Sequence, residues 1–270
     1  MIRSNLHTHT VFSDGRDTPE EMVEAALSRG FESLGFSDHA FSPLYAEGSM
    51  PLSRFGEYKD EIRRLKEKFH GKIRIFTGIE NDSLYPFEPD GLDYVIGSVH
   101  DVPLDGDLSV CVDSTKLAFY EGAGRLGGDA LKLVEMYYRR VIHMVKTQTL
   151  DIVGHLDLPT KLNKDDCLFD TKSERYQKAV IQAVDTIAQA GKIVEINTGA
   201  YSRGITSEPY PAYWIIKECV ERGVRLTVSS DSHSESTLGF AFDEIENLLR
   251  GMGCAEIWQL TDNGFCAVPL

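Results

Sequence analysis

Short apolar, β-branched runs alternate with segments of helical periodicity along almost the whole chain, and this alternation restricts the fold more than any other feature. Runs that are separated by helices favour parallel strands joined by crossover helices. Polar side chains at the carboxyl ends of the runs favour a (β/α) barrel over an open sheet, with the active site at the C-terminal mouth. The seven runs are IRSNLH, ESLGFSDH, KIRIFTGIE, DYVIGSVH, DIVGH, KIVEIN and RLTVSSDSH.

Six helices are predicted, five between these runs and one after the last of them, and the first is the best marked. Thr18 has the side chain of an N-cap, Pro19 suits the first helical position, and Glu21 completes a capping box. No linker or repeat interrupts the pattern, so we expect one domain over residues 1–270. Residues 111–128 are rich in glycine and are expected to form a loop that overhangs the mouth. The helices are predicted over about 19–28, 53–69, 129–147, 174–190, 211–222 and 243–250, and two short strands, AEIWQL and FCAVPL, follow.

Composition narrows the classes of function. The chain has a net charge of −14 and no basic stripe of the kind that a nucleic-acid groove needs, so no nucleic-acid partner is expected. The sequence has no apolar run near the ~20 residues that cross a bilayer, and MIRSNLHTHT does not resemble a signal peptide. We therefore expect a cytoplasmic protein without a membrane partner, whose oligomeric state stays open. Five cysteines without a CxxC pair are expected to be reduced thiols.

Histidines and carboxylates cluster at the ends of the predicted strands. Alternate residues on a strand share a face, so His7 and His9 should point the same way, as should Asp231 and His233. Imidazole and carboxylate ligands without thiolate suit zinc, iron or manganese. Six of the eight histidines fall at strand ends, which a structural role alone does not explain. The predicted metal ligands are His7, His9, Asp14, His39, Glu80, His100, His155, Asp231 and His233.

Other polar residues near the strand ends have more than one interpretation. Asp14 lies in Ser-Asp-Gly, where it could bind metal or cap the turn. Asp38 is a candidate for fixing a histidine tautomer, and Asp157 either does the same or caps a loop. His70 and His143 fall within or beside helical segments, so we expect both to be ordinary surface or core residues.

The ligand set predicts a reaction. Nine ligands exceed the needs of one ion and suffice for two or three divalent ions with Glu80 as the bridge. A hydroxide between metal ions attacks well at neutral pH, and paired ions stabilise both the entering and the leaving oxygen of a phosphoryl displacement. We predict Glu80, Asp231 and His233 as catalytic residues. The sequence has no GxSxG, P-loop or GxGxxG motif to suggest another chemistry.

Two cations and one amide are predicted to bind a substrate. Lys161 lies six residues after His155, and Arg203 lies six after Asn197, so both should sit on mouth loops, where they could clamp a phosphate. The alternative is that both are ordinary surface charges. Asn197 ends the sixth run and is the third predicted substrate-binding residue. For a cationic group of the substrate, the nearest candidate carboxylates are Asp82, Glu88 and Asp101.

Six motifs in order resemble those of the PHP family, named for polymerase and histidinol phosphatase domains. They are NLHTHTVFSDG, FSDHA, TGIEND, GSVHD, GHLDL and SSDSH. The resemblance implies a distorted seven-stranded (β/α) barrel with a trinuclear metal site. It also implies a division of the ligands among the three ions: His7, His9, Glu80 and Asp231; Glu80, His100 and His155; Asp14, His39 and His233.

Within that family, the chain is most similar to the stand-alone L-histidinol-phosphate phosphatases of histidine biosynthesis. The similar segments include YYRRVIHMVKTQTLDIVGHLDL and VEINTGAYSRG, whereas GIENDSLYP departs from the usual acidic–aromatic pair. The resemblance implies hydrolysis of L-histidinol phosphate to L-histidinol and phosphate. One alternative is another small phosphate ester, such as a nucleotide or sugar phosphate. A non-catalytic PHP interaction module is a second alternative, against which the complete ligand set argues.

Overall fold

A computed structural model describes residues 2–88, 90–106 and 108–270. Within these ranges the chain alternates strands and helices, as the sequence pattern predicts. The strands are β1 (Ser4–Asn5), β2 (Ser33–Phe36), β3 (Arg74–Asp82), β4 (Tyr94–Ser98), β5 (Asp101–Pro103), β6 (Ser109–Cys111), β7 (Ile152–Val153), β8 (Ile193–Asn197), β9 (Arg225–Ser229), β10 (Glu256–Thr261) and β11 (Gly264–Pro269). The α-helices are α1 (Pro19–Ser28), α2 (Phe55–Lys68), α3 (Lys116–Arg125), α4 (Ala130–Thr147), α5 (Glu174–Ala190), α6 (Gly199–Ser202), α7 (Tyr213–Glu221) and α8 (Phe242–Gly251).

Seven strands form one parallel sheet that curls into a nearly closed barrel. Their order is β1-β2-β3-β4-β7-β8-β9, and each neighbouring pair is parallel. Just beyond β1 and β9, Thr8 bridges to Ser232. The Ser232 amide donates to the His7 carbonyl at 3.2 Å, and the His9 amide donates to the Ser232 carbonyl at 2.9 Å. The first and last strands therefore meet at this seam, and the predicted distorted seven-stranded (β/α) barrel is confirmed.

Local sequence signals explain the helix bounds. Helix α1 begins after Thr18, whose hydroxyl accepts from the Glu21 amide while the Glu21 carboxylate accepts from the Thr18 amide. Helix α5 has the predicted bounds. Helices α2 and α7 begin two residues later than predicted, and the residues before α2 form a 3-10 turn, Leu52–Arg54.

The segment from Cys111 to Gly128 is not the loop that its glycines suggested. It contains α3, which begins after Thr115 because the threonine hydroxyl caps the Ala118 amide at 3.1 Å. The helix packs on the antiparallel hairpin β5–β6. At this contact a Cβ on Gly122 would lie 2.7 Å from a Val110 methyl. Glycine is therefore used for close packing here rather than for a flexible turn.

The hairpin β10–β11 closes the amino-terminal end of the barrel. Leu260 of the hairpin belongs to a buried cluster inside the barrel, and the Arg225 guanidinium lies 4.1 Å from the Trp258 ring centroid. Since Arg225 begins β9, the hairpin sits opposite the end that carries the histidines, and the carboxyl-terminal mouth stays accessible. Across the described ranges, the helices are all too short or too polar to traverse a lipid bilayer. The other buried members of the cluster are Leu6, Phe76, Tyr94, Ile96, Ile152 and Ile193.

Candidate metal centre

The nine residues predicted as ligands converge at the carboxyl-terminal mouth. Asp231 approaches the cluster through Oδ1, which lies 3.3 Å from His9 Nε2. Glu80 belongs to two groups of neighbouring ligand atoms, the position expected of a bridge. His9 also belongs to two, which the family resemblance does not imply. Three groups place their ligand atoms within 4.8 Å of one another: His7, His9 and Glu80; Glu80, His100 and His155; His9, Asp14, His39 and His233.

Glu80 lies at the centre of the cluster. Its Oε1 is 2.9 Å from His155 Nε2, and its Oε2 is 3.2 Å from His7 Nε2 and 3.4 Å from His9 Nε2. Burial alone would raise the pKa of this carboxyl, but the surrounding imidazoles, His39 and His7 above all, hold it well below its usual range. Glu80 is therefore an anion held between two sets of nitrogen ligands.

Buried polar atoms without hydrogen-bond partners show that these residues fit divalent ions. Among the described residues, His7 Nε2, His9 Nε2 and Glu80 Oε2 are buried and lack such a partner. Buried polar atoms in proteins are almost always satisfied, so a group of orphaned atoms facing one point needs an explanation. A divalent cation that accepts imidazole and carboxylate donors would supply the missing interaction.

Glu195 orients His7 from beneath the cluster. The Glu195 Oε1 lies 2.6 Å from His7 Nδ1, so His7 donates there and turns Nε2 towards the other ligands. The Glu195 Oε2 accepts from the His155 amide at 2.9 Å. Glu195 lies in the predicted run KIVEIN, but the sequence alone does not assign it a role, because contacts between distant strands are not visible in a local pattern.

Asn197, predicted to bind substrate, lies buried behind the carboxylates. Its amide nitrogen donates to Glu195 Oε2 at 3.0 Å and to Asp231 Oδ2 at 3.3 Å. Its Oδ1 accepts from the Gly199 amide at 2.8 Å. Substrate binding by Asn197 stays a prediction, and this location favours a role in orienting the two carboxylates instead.

Asp38 holds the loop that leads to Asp14 rather than a histidine. It accepts from the amide and hydroxyl of Thr10 at 2.8 and 2.9 Å, and from the hydroxyl and amide of Ser13 at 2.6 and 3.1 Å. Consecutive residues at a strand end face opposite ways, so Asp38 points away from the side that His39 serves. The Asp14 carboxylate faces the histidines, with Oδ2 3.3 Å from His233 Nε2, which favours the ligand interpretation over the turn cap.

Asp157 is likewise bonded to side chains outside the cluster. Its Oδ1 accepts from the hydroxyls of Tyr138 and Tyr176 at 2.6 and 2.9 Å. Burial raises the pKa of this carboxyl to about 7 even though both tyrosines oppose the shift. Asp157 therefore ties helices α4 and α5 to the chain just after β7.

Asp231 has an unusual backbone conformation. Its φ of 44° lies in the left-handed region that residues other than glycine rarely adopt. Such strain persists where the surroundings fix it, and here the seam between Thr8 and Ser232 follows directly. The His233 Nδ1 lies 3.1 Å from the Asp231 carbonyl, so the same turn places both predicted ligands.

The histidines differ in protonation when no metal is bound. Burial, assisted by His233 and His39, lowers the pKa of His9 to about 3, so His9 is neutral and ready to bind a cation. Burial would also lower the pKa of His100, but a bond to Asp82 and the charge of Glu80 outweigh it and raise the value to about 10. A metal ion bound by His100 would therefore have to displace a proton from it.

A cavity of about 490 Å³ opens above the cluster. Lys161 and Arg203 both line it, as predicted for mouth loops. The Lys161 ammonium donates to Asp113 Oδ2 at 2.7 Å, and Arg203 Nη1 donates to the Asp231 carbonyl at 3.4 Å. Burial would raise the pKa of Asp113, but His100 and Lys161 lower it to about 2. Sequence reasoning did not single out Asp113, which lies in the segment expected to be a loop.

Two of the three carboxylates predicted to face a cationic group line this cavity. These are Asp82 and Asp101. Glu88 is exposed and accepts instead from the Thr149 amide at 3.4 Å, outside the cavity lining. Tyr45 also lines the cavity and donates to Asp14 Oδ2 at 3.1 Å. No sequence motif marks this tyrosine.

Comparison with known proteins agrees with this geometry. The family model described as "PHP domain" matches residues 5–199, and the chain belongs to that family. It is 30% identical over 267 residues to a probable histidinol-phosphatase of Deinococcus radiodurans, covering 94% of each chain. It is 28% identical to the histidinol-phosphatase of Bacillus subtilis, covering 90% of this chain and 98% of the relative.

Solved structures share the fold. The histidinol phosphate phosphatase of Lactococcus lactis, solved in complex with zinc, L-histidinol and phosphate, superimposes with a TM-score of 0.74 at 22% identity and 98% coverage of both chains. A putative histidinol phosphatase of Listeria monocytogenes gives the same TM-score at 20% identity, covering 89% of this chain and 99% of its own. The barrel described above is therefore the architecture of these proteins.

Proposed function

We propose that this chain is a metal-dependent phosphomonoesterase that hydrolyses L-histidinol phosphate to L-histidinol and phosphate. The observation that carries the proposal is that seven of the nine predicted metal ligands and two cations line one cavity of about 490 Å³, with His7 and His9 grouped directly beneath it around Glu80. Cavities of this size suit small molecules. Relatives that match over nine tenths of this chain are named histidinol-phosphatases, which supports the choice of substrate.

The cluster would hold two or three divalent ions, drawn from zinc, iron and manganese. When bound, such ions activate water and neutralise the charge that develops on a transferring phosphoryl group. Glu80 would contribute to two ion sites, since it belongs to two of the three groups. Asp231 and His233 extend the cluster towards the cavity, whose lining includes both, and we propose that they act with Glu80 at the reacting phosphate.

Lys161 and Arg203 would bind the phosphate oxygens within the cavity that both of them line beside the predicted metal ligands. Both side chains are basic and partly exposed, and both line the cavity. Bonds between such cations and phosphate are stronger than neutral ones. Asp113 holds the Lys161 ammonium in place at 2.7 Å, so the cation need not be ordered when substrate binds.

The remaining carboxylates of the cavity favour a substrate with a positive end. Asp82 and Asp101 line the cavity beside His100, and neither belongs to the three ligand groups. Histidinol has an amine and an imidazole that carry or accept protons, and carboxylates in a small cavity attract them. Nucleotide and sugar phosphates lack such a positive end and would meet repulsion.

The proposal includes a single domain over residues 1–270 and a cytoplasmic location, in keeping with a metabolite as substrate. Another compact phosphate ester is the second candidate, because the ligand cluster would serve any monoester that fits the cavity. A non-catalytic role would leave the buried, unpartnered atoms of His7, His9 and Glu80 without a purpose.

Phosphate release from a panel of esters tests the substrate. We expect L-histidinol phosphate to exceed nucleotide, sugar and aryl phosphates in kcat/KM when all are compared at equal concentration. A nucleotide or sugar phosphate that exceeds it by tenfold, about 1.4 kcal/mol in transition-state binding, would overturn the substrate. The metal-dependent phosphoesterase would remain.

A further inference from the structure

Tyr45 lies in the cavity at the edge of the predicted metal cluster. It ends a short 3-10 turn, Pro43–Tyr45, in the segment between β2 and α2. Its ring is nearly half exposed, and its hydroxyl donates to Asp14 Oδ2 at 3.1 Å. Tyr45 is therefore hydrogen-bonded to a predicted metal ligand without being a predicted ligand itself.

The loop around Tyr45 is built to hold the ring in one place. The Tyr45 carbonyl accepts from the amides of Gly48 and Ser49 at 3.2 and 2.9 Å. The Ser42 amide donates to the Ser49 hydroxyl at 3.1 Å, which ties the two ends of the loop together. The ring rests on Gly48, where a Cβ would lie 1.9 Å from Tyr45 Cζ. The backbone at residue 48 therefore forms the seat of the ring.

The ring also packs against a second predicted ligand. The rings of Tyr45 and His39 are edge to face, with centroids 5.7 Å apart and an interplanar angle of 89°. The same Asp14 Oδ2 that accepts from Tyr45 lies 3.7 Å from His39 Nε2 and 3.3 Å from His233 Nε2. Tyr45 thus contacts two members of the group formed by His9, Asp14, His39 and His233.

Asp14 lies on a loop, so no barrel strand fixes its carboxylate directly. It lies in the turn after β1, well beyond the end of that strand. Its other oxygen, Oδ1, is 3.4 Å from the Ser13 hydroxyl and 3.5 Å from His9 Nδ1. Asp38 holds the backbone of this loop through Thr10 and Ser13.

We propose that Tyr45 is a positioning residue that holds the Asp14 carboxylate in the orientation needed to bind the outermost metal ion, that of His9, Asp14, His39 and His233. This rests on the metal-binding part of the proposed function and is independent of the substrate. A hydrogen bond to a ligand carboxylate restricts its rotation, and removing such partners weakens metal binding by about 10–100-fold.

The test measures zinc release from the zinc-loaded enzyme as chelator is added, without substrate. Tyr45→Phe keeps the ring on Gly48 and against His39 but removes the hydroxyl. We expect one class of zinc ion to leave at about tenfold lower chelator concentration, while the more tightly held ions leave as in wild type. At saturating zinc, kcat should return to within about twofold of wild type, because the metal then compensates for the lost contact.

Two further variants make the result specific. Tyr120→Phe removes another half-exposed tyrosine hydroxyl, one that donates to the Cys167 carbonyl outside the cavity lining, and should release zinc as wild type does. Gly48→Ala must displace the Tyr45 ring and should reproduce the effect of Tyr45→Phe. The proposal fails if Tyr45→Phe releases zinc as wild type does, or if all its ions loosen equally. A failed substrate panel would leave these outcomes unaffected.

Discussion

Eight of the nine predicted metal ligands fall into two halves that differ in exposure, and Asp231, with 11% of its side chain accessible, lies between them. The closed half consists of His7, His9, Glu80 and His155, of which His155 is the most exposed with 5% of its side chain accessible. The open half consists of Asp14, His39, His100 and His233, whose side chains are 15–28% accessible. The two halves meet at His9 and Glu80, which have neighbours in both.

The two halves differ in how firmly neighbouring residues orient the predicted ligands. In the closed half, Glu195 fixes His7 at 2.6 Å and supports the backbone of His155, so these ligands are oriented before an ion arrives. In the open half, the contact of His100 with Asp82 is longer than that of His7 with Glu195, at 3.5 Å. The position of Asp14 is set by the conformation of a loop. We infer that the closed half defines the position of the ions and the open half adjusts around substrate.

The largest effect should come from Glu80, where the halves join. Glu80→Gln keeps the shape but removes the charge that faces both groups of nitrogen ligands. We expect turnover to fall by about a thousandfold or more, since the metal contribution to phosphoryl transfer is worth several kcal/mol. Metal analysis should show fewer ions per chain, and circular dichroism should show an intact fold. Near wild-type turnover would show that Glu80 is not the bridge.

Next in size are the cations that face the open half. Arg203→Ala and Lys161→Ala should each raise KM for the phosphate ester by about 10–100-fold, since a charge-assisted bond contributes roughly 1.5–3 kcal/mol. Steady-state kinetics measure the effect. His70→Ala is the matched control because this exposed imidazole lies outside the cavity lining, and it should be silent. Unchanged kinetics in both cation variants would mean that Lys161 and Arg203 are ordinary surface charges that do not bind the phosphate.

A paired substitution tests the difference between the halves directly. Glu195→Gln removes the charged partner of His7, and Asp82→Asn removes that of His100. We expect zinc affinity to fall by about 10–100-fold for Glu195→Gln and by less for Asp82→Asn, because the contact of Asp82 is longer. Chelator competition gives both values. Equal losses would mean that the closed half is not better prepared than the open half.

The smallest effect is a pH dependence of the metal-free protein. The pKa of His100 rises from an ordinary value of about 6.5 to about 10 on folding. The charged imidazole therefore stabilises the fold fully below about pH 6.5, and this contribution is lost as the pH rises through about 10. We expect the melting temperature of the metal-free protein to decrease over this interval.

The metal-loaded protein is the control for that pH dependence. Bound zinc requires neutral imidazole, so the decrease should be smaller, and zinc binding at pH 8 should release about one proton or more. Calorimetry in buffers of different ionisation enthalpy counts the protons. No release would contradict the raised pKa of His100.

The sequence pattern predicted the barrel because each strand and helix carries its own signal. Buried runs end in polar residues at the mouth, and caps such as Thr18 mark helix starts. The pattern was wrong for residues 111–128, which contain helix α3, and where Gly122 allows that helix to pack closely against Val110. The contacts of Glu195, Asp113 and Tyr45 join segments far apart in sequence, so no local pattern predicts them.

The seam between the first and last barrel strands has a consequence for the newly made protein. His7 and His9 leave the ribosome before Asp231 and His233, which lie about 220 residues later, and Ser232 pairs with the backbone of His7 and His9. A nascent chain that has not yet reached Asp231 therefore has an incomplete set of predicted metal ligands. The complete set of predicted ligands can assemble only after Asp231 and His233 have been synthesised, so the metal centre cannot be completed early in translation.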